Sequence, residues 1–235
     1  ANDTASYINV HIENNESFGI TGGQYFETVT VTNNGGHGIT SNTLAEFHNC
    51  LIEENDEYGV NGGVLFDSSF VRYNGEYGIF TSNNQAEYHG CDVSGNNGYG
   101  ISGGKIVSEC TISDNNGFGI ILTAPAEANI ENSIISGNEN SVSSSTEGGI
   151  VKLTSENATI SNNIFSGNIV QCTNTNRSIK GGVLFSEHDG VSIINNEFLN
   201  NVVNGQQNNT LYGGSVYLSG SIIELRENTI DSTTV

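Results

Sequence analysis

The chain has 235 residues, of which 26 are acidic and 6 basic, giving a formal charge of −20. That balance excludes nucleic acid and anionic membrane as direct partners, because both need clustered Lys and Arg, and no stretch approaches the roughly 20 apolar residues of a membrane helix. Only 35% of residues are hydrophobic, yet 9 Tyr and 10 Phe are spread along the chain, which argues against disorder and for a narrow core extended along one axis.

In chain order, the first feature is a Gly followed by Ile or Val, at Gly19, Gly38, Gly59, Gly78, Gly100 and Gly119. The steps are 19, 21, 19, 22 and 19 residues, and later copies at Gly149, Gly182 and Gly214 stand 30 to 33 apart. Four residues before each of the first six stands Asn15, Asn34, Asn55, Asn74, Asn96 or Asn115. Asn tolerates the left-handed backbone region and suits a sharp bend, and amides stacked in successive repeats can bond one another. Seven residues before the Gly comes Ile12, Val31, Ile52, Val71, Val93 or Ile112, and two earlier Val10, Val29, Cys50, Ser69, Cys91 or Cys110. These two slots share parity and so face the same side of a strand, the core.

Two series of rings follow the same period. Phe18, His37, Tyr58, Tyr77, Tyr99 and Phe118 precede the landmark Gly, and Tyr7, Phe26, Phe47, Phe66 and Tyr88 share another slot, completed by Val107. Stacking between repeats is the expected role, with the Tyr-rich series the more exposed; Tyr58, Tyr77 and Tyr99 are its candidate sugar-binding residues. Ala45–Cys50 returns as Ala86–Cys91, 41 residues on, with Gly22-Gly23, Gly62-Gly63 and Gly103-Gly104 alternating with it. The first half is therefore built from a two-repeat unit.

A repeat near 20 residues with short β runs leaves leucine-rich repeats or a parallel β-helix, and Leu is scarce. The Asn-Asn-x-x-aromatic-Gly-Ile pattern resembles the right-handed parallel β-helix repeats of pectate lyase-like proteins, over nearly the whole chain. That resemblance implies an all-β solenoid of about ten coils, but lyases, epimerases, tailspikes and adhesins share it. Regular coils are expected over 1–123 and loop-inserted coils over 124–235, with loops near 139–148, 171–180 and 202–212 projecting toward partners. Near the C-terminus, Phe165-Ser166-Gly167-Asn168 and Phe198-Leu199-Asn200-Asn201, followed by Gly181-Gly182-Val183-Leu184 and Gly213-Gly214-Ser215-Val216, resemble the repeats of polymorphic outer-membrane proteins, which implies a secreted surface adhesin. A start at Ala1 and a stop at Val235 in mid-pattern, without polar caps, give the expectation of a segment cut from a longer extracellular or cell-surface protein.

Aligning the repeats sets Glu27, His48, Asp67 and His89 in one row, flanked by Glu46 and Glu87. Imidazole beside carboxylate suits zinc or another transition metal, acidic clusters suit calcium, and the same groups serve as general acid and base; otherwise the row is a solvated, charge-paired edge. No cofactor is required by any motif, and a divalent cation on this edge is the one candidate. Gly36-His37-Gly38 matches a catalytic-looking motif of β-helical polygalacturonases, but His37 fills the ring slot of its repeat and the companion Asp-Asp and Arg-x-Lys are missing. Arg72, Lys105, Lys152, Arg177, Lys180 and Arg226 are scattered by register, which counts against uronate chemistry. Cys50, Cys91 and Cys110 share one inward slot and are expected as buried thiols, a Cys91–Cys110 disulfide being the alternative that the spacing of coils allows, while Cys172 falls in an inserted loop. Sequons at Asn2, Asn15, Asn157, Asn176 and Asn208 are no more than chance supplies in such a chain. No catalytic residue stands out. The expectation is a non-enzymatic structural, adhesive or filament-forming segment whose partners are protein subunits or glycans; the alternative is a carbohydrate-active enzyme or glycan-binding module.

Overall fold

The computed structural model describes residues 4–221 and 223–231; the sequon at Asn2 lies outside them. Among the described residues there is no helix, so none is long and apolar enough to cross a membrane. Strands of two to four residues stack strictly in parallel into sheets that run along the chain.

Each coil contributes one short strand to each of three long sheets. The first sheet runs from Ser6–Ile8 through Glu46–His48 and Glu87–His89 to Glu224–Arg226, with ten strands. The second, from His11–Glu13 to Thr229–Asp231, also has ten, and the third, from Ile20–Thr21 to Val216–Leu218, has nine. Neighbours in every sheet are the preceding and following coils. Over the described residues the molecule is a parallel β-helix of ten coils, as the repeat predicts.

In the first two sheets the middle residue of each three-residue strand points inward, and in the third sheet the first residue of the strand does. Phe26 pairs with Phe47 and Phe66 with Tyr88 in the first sheet, Val31 with Ile52 in the second, and Ile39 with Val60 in the third. All of these are fully buried. Full burial of one such side chain stabilises by about 1.5–3 kcal/mol, and the coils share that gain along a single axis. Tyr7, Phe26, Phe47, Phe66 and Tyr88 stack face to face inside, with centroids 4.6–5.2 Å apart.

One left-handed residue makes each bend between the first two sheets: Thr28, Asn49, Ser68, Gly90 and Glu109 all have φ between 50° and 59°. The next residue then turns into the core, which places Val29, Cys50, Ser69, Cys91 and Cys110 in one buried slot. The bend into the third sheet repeats the device. There the left-handed residue is Asn33, Glu54, Tyr73, Gly95 or Asp114, one position before the periodic Asn. The expectation that the periodic Asn itself is left-handed is thereby corrected. Its job is to bond its counterpart. Asn34 Nδ2 donates to Asn55 Oδ1 at 2.8 Å, Asn55 to Asn74 at 3.0 Å, Asn74 to Asn96 at 3.0 Å and Asn96 to Asn115 at 2.9 Å. The same Oδ1 atoms also accept backbone N–H groups, as Asn96 does from Asn74 at 3.1 Å. The ladder continues through Asn138, Asn168 and Asn201, past the point where regular spacing ends. A second ladder of Asn163, Asn196 and Asn228 takes over the cysteine slot in the later coils.

The corner from the third sheet back to the first alternates between short and long. Gly62-Gly63 is a short corner, with Gly63 at φ 94°; a Cβ there would sit 2.6 Å from the Phe66 ring and 2.8 Å from that of Phe47. The long corners at 41–45 and 81–86 each close on an Asn, with Leu44 N–H donating to Asn42 Oδ1 and Gln85 N–H to Asn83 Oδ1. Asn83 Nδ2 reaches back across the intervening coil to the Thr43 carbonyl at 2.6 Å.

The insertions of the second half are not projecting loops. They fold into two further parallel sheets of three strands each. The fourth sheet holds Glu139–Val142, Ile169–Cys172 and Val202–Asn204, and the fifth holds Thr146–Glu147, Ser178–Lys180 and Thr210–Tyr212. Three consecutive coils carry insertions at the same place, so each offers its neighbour a partner in register and the backbone groups pair. Cys172 is therefore a buried strand residue opposite Val142, not a loop residue. All four cysteines are buried free thiols, as expected of the stack. Burial pushes the Cys50 thiol up, and Cys91 is held well above the ordinary thiol value by its hydrogen bond with Cys110 and by burial.

Candidate functional site

The outer face of the first sheet presents the acid–imidazole row. Register pairs Glu27 with His48, His48 with Asp67 and Asp67 with His89, so the four residues are neighbours as aligned. The flanking acids are in place too: Glu46 Oε2 lies 3.6 Å from His48 Nε2, and Glu87 Oε2 lies 3.4 Å from His89 Nε2. His48 Nδ1 is 3.5 Å from Asp67 Oδ2, and His89 Nδ1 is 2.7 Å from Ser108 Oγ. Lys105 Nζ stands 3.7 Å from Glu87, and the Tyr25 hydroxyl donates to Glu27 at 3.3 Å. The imidazoles pair with carboxylates both along a strand, as Glu46–His48 and Glu87–His89, and across to the next, as His48–Asp67. Among the described residues, no three His, Cys, Asp or Glu side chains are grouped to hold a metal ion.

The Tyr-rich series stacks as a second row. Phe18, His37, Tyr58, Tyr77 and Tyr99 lie face to face with centroids 4.4–5.1 Å apart, and Phe118 closes the row edge-on. Tyr58, Tyr77 and Tyr99 are part-exposed, whereas the inner ring stack is buried apart from Tyr7. Glu57 pairs with His37 at 2.9 Å. Burial, with Tyr99 and Tyr58 alongside, pushes the Tyr77 phenol up to about 12. Tyr58 and Tyr77 are stacked on both faces by their neighbours, whereas Tyr99 stacks on Tyr77 and meets Phe118 edge-on. A sugar platform needs a free face, and Tyr58 and Tyr77 do not offer one.

A concavity lies elsewhere, where the third and fifth sheets meet. Glu147, Lys180 and Tyr212 each stand immediately before a Gly-Gly pair, and Lys152, Phe185 and Tyr217 follow five residues later. Gly148, Gly181 and Gly213 have φ of 78°, 63° and 60°, which lets the chain turn sharply between the two sheets. The outward rows Glu147–Lys180–Tyr212 and Lys152–Phe185–Tyr217 then face each other across the corner. A groove of about 640 Å³ opens beside them, lined by Arg177, Lys180, Tyr212 and Tyr217 with Asn, Ser and Thr side chains around them.

Within this corner the charges are sorted. Lys180 donates to Glu187 at 2.8 Å and lies 3.7 Å from Glu147, while Lys152 lies 3.6 Å from Glu147. The hydrogen bond to Glu187 raises the Lys180 pKa. Lys152 sits over the Phe185 ring at 5.6 Å and Lys180 over Tyr217 at 5.5 Å. Three of the six cations thus gather in one corner, where the sequence reading has them scattered. The repeated Gly-Gly pairs hold the signal: aligning on them puts Lys180 beside Tyr212 without any structure.

The architecture and its Asn ladders define a β-solenoid class, and residues 61–234 match the family model described as right handed beta helix region. The chain belongs to that family. Among solved structures, it is similar to the A-modules of two mannuronan C-5 epimerases of Azotobacter vinelandii. With AlgE6 it shares 19% identity at a TM-score of 0.41, covering 86% of this chain and 64% of that one. With AlgE4 the figures are 19% and 0.38, over 92% of this chain and 64% of that one. The chain thus spans under two thirds of the length of either module. No curated protein matches the sequence.

Proposed function

We propose that this β-helix is a non-enzymatic, extracellular or cell-surface segment of a larger protein that displays rows of side chains for adhesion or assembly with protein subunits or glycans. One observation carries the reading: the imidazoles and carboxylates that supply candidate acid–base or metal chemistry are paired with one another on the outer side of a sheet. The ladders support it as well, since they invest the repeat in rigidity and regular display. The test is turnover. Purified protein incubated with pectin, alginate and neutral β-glucans is expected to release no new reducing ends, form no unsaturated uronate and change no uronate epimer ratio. Turnover at enzyme-like rates that disappears in His48→Ala or His89→Ala overturns the proposal.

A second reading, a carbohydrate-active protein using a divalent cation, is favoured by the placement of Glu46 and Asp67 within 3.6 Å of the two His48 ring nitrogens. Elemental analysis of protein purified without added metal separates the two. Stoichiometric zinc or calcium that falls away in His48→Ala supports the cation, and its absence removes it.

A further inference from the structure

We infer that the groove at the Gly-Gly corners is a binding site for a glycan ending in a single carboxylate-bearing sugar, with the carboxylate on Arg177 and a sugar ring against Tyr212. The site is separate from the rows of the first sheet and stands whether or not those rows are catalytically silent.

The argument begins with charge. In a molecule of net charge −20, the groove is where cations collect. Lys152 and Lys180 are already neutralised by Glu147 and Glu187. The exposed Arg177 forms no ion pair among the described residues, and only its backbone is tied, with its N–H donating to Asn209 Oδ1 at 2.8 Å. An unpaired guanidinium presents a planar fork that matches a carboxylate with two parallel hydrogen bonds.

Ring geometry supplies the second part. Tyr58 and Tyr77 have both faces covered by neighbouring rings, and Tyr99 has one face stacked on Tyr77. Tyr212 has one described ring contact, an edge-on approach to Tyr217 at 6.5 Å, and is 49% exposed. Its face is free to lie against the C–H face of a sugar. The remaining lining is suited to hydroxyls: Asn176, Asn208 and Thr210 bring both donors and acceptors. The volume, about 640 Å³, falls within the ~300–1,000 Å³ usual for small-ligand sites.

Charge also limits the ligand. Among the described residues the groove holds one cation outside an ion pair, enough for one carboxylate, and a polyuronate would bring further negative charges against an acidic molecule. The ligand that fits is therefore a mostly neutral glycan with one acidic terminal sugar.

Calorimetric titration of the intact protein with sialyllactose, lactose, oligogalacturonate and sodium sulfate tests this. Sialyllactose is expected to bind saturably and at least ten-fold more tightly than the other three. Arg177→Gln and Tyr212→Ala are each expected to weaken it ten-fold or more, while Lys105→Gln, on the first sheet, leaves it unchanged. Both groove residues are exposed, so unaltered thermal melting of the variants keeps a loss of binding specific. Equal binding of lactose, tighter binding of oligogalacturonate, equal binding of sulfate, or retention in Arg177→Gln each overturns the site. Turnover of the bound sugar, by contrast, overturns the non-enzymatic function and leaves the site standing.

Discussion

Asn96 shows what a single residue does in this fold. Its Oδ1 accepts from both the backbone and the side chain of Asn74, and its own amide donates to Val71 O and Asn115 Oδ1. Asn96→Ala leaves the buried Asn74 N–H without an acceptor, a loss of about 1–3 kcal/mol for such a group. The neighbouring exposed Asn97, which accepts from Asn116 at 2.9 Å, is the control. Chemical denaturation is expected to show Asn96→Ala destabilised by about 2–3 kcal/mol and Asn97→Ala changed by less than about 0.5 kcal/mol; equal effects would refute the ladder's role. The ladder's first six rungs are legible in sequence because the period holds there. Asn138, Asn168 and Asn201 are not, because insertions shift their spacing to 23, 30 and 33 residues. The left-handed positions are harder to read for another reason: Asn is the commonest residue there, but Thr, Ser, Glu, Tyr, Asp and Gly also fill them, since the fold around them sets the backbone.

At the scale of elements, the outer ring stack gives a pH signature. Tyr77 has its pKa raised by burial and by Tyr99 and Tyr58, from 10.0 to about 12. In the unfolded chain the phenol ionises near its ordinary value, so above that pH the native state binds more protons than the unfolded one. Stability then falls as pH rises. The Tyr77 contribution is fully present below pH 10 and is lost progressively toward about 12. Spectrophotometric titration of the phenols, with urea unfolding across the same window, is expected to show a late-ionising tyrosine that Tyr77→Phe removes; a titration unchanged by Tyr77→Phe counts against it. The acid–imidazole row and both ring series were readable because their spacing matches the coil. The fourth and fifth sheets were not, although Ile169-Val170, Val202-Val203, Ile179 and Leu211 supply inward residues. Each segment alone is too short to declare a strand, and pairing with the adjacent coil makes it one.

For the whole molecule, strands pair only with those of adjacent coils, so stability is mainly a sum of local and nearest-neighbour contributions, with the reach of Asn83 to Thr43 a contact beyond the next coil. The middle coils have neighbours on both sides and fully buried inward residues such as Val71 and Val93. The last described strands, Glu224–Arg226 and Thr229–Asp231, are exposed along their length. Native-state hydrogen exchange is expected to be slowest around Phe70–Arg72 and Asp92–Ser94 and to quicken toward Thr229–Asp231; uniform protection would contradict a nearest-neighbour solenoid. The alternation of long and short corners has a consequence for how such a gene changes. Asn83 grips Thr43 across a coil that has only a Gly-Gly corner between them. Duplicating or losing the 41 residues from Ala45 to Gln85 by unequal crossing-over keeps long corner above short. An event of one coil sets like against like and breaks that grip. In this half of the molecule, inheritable length comes in pairs.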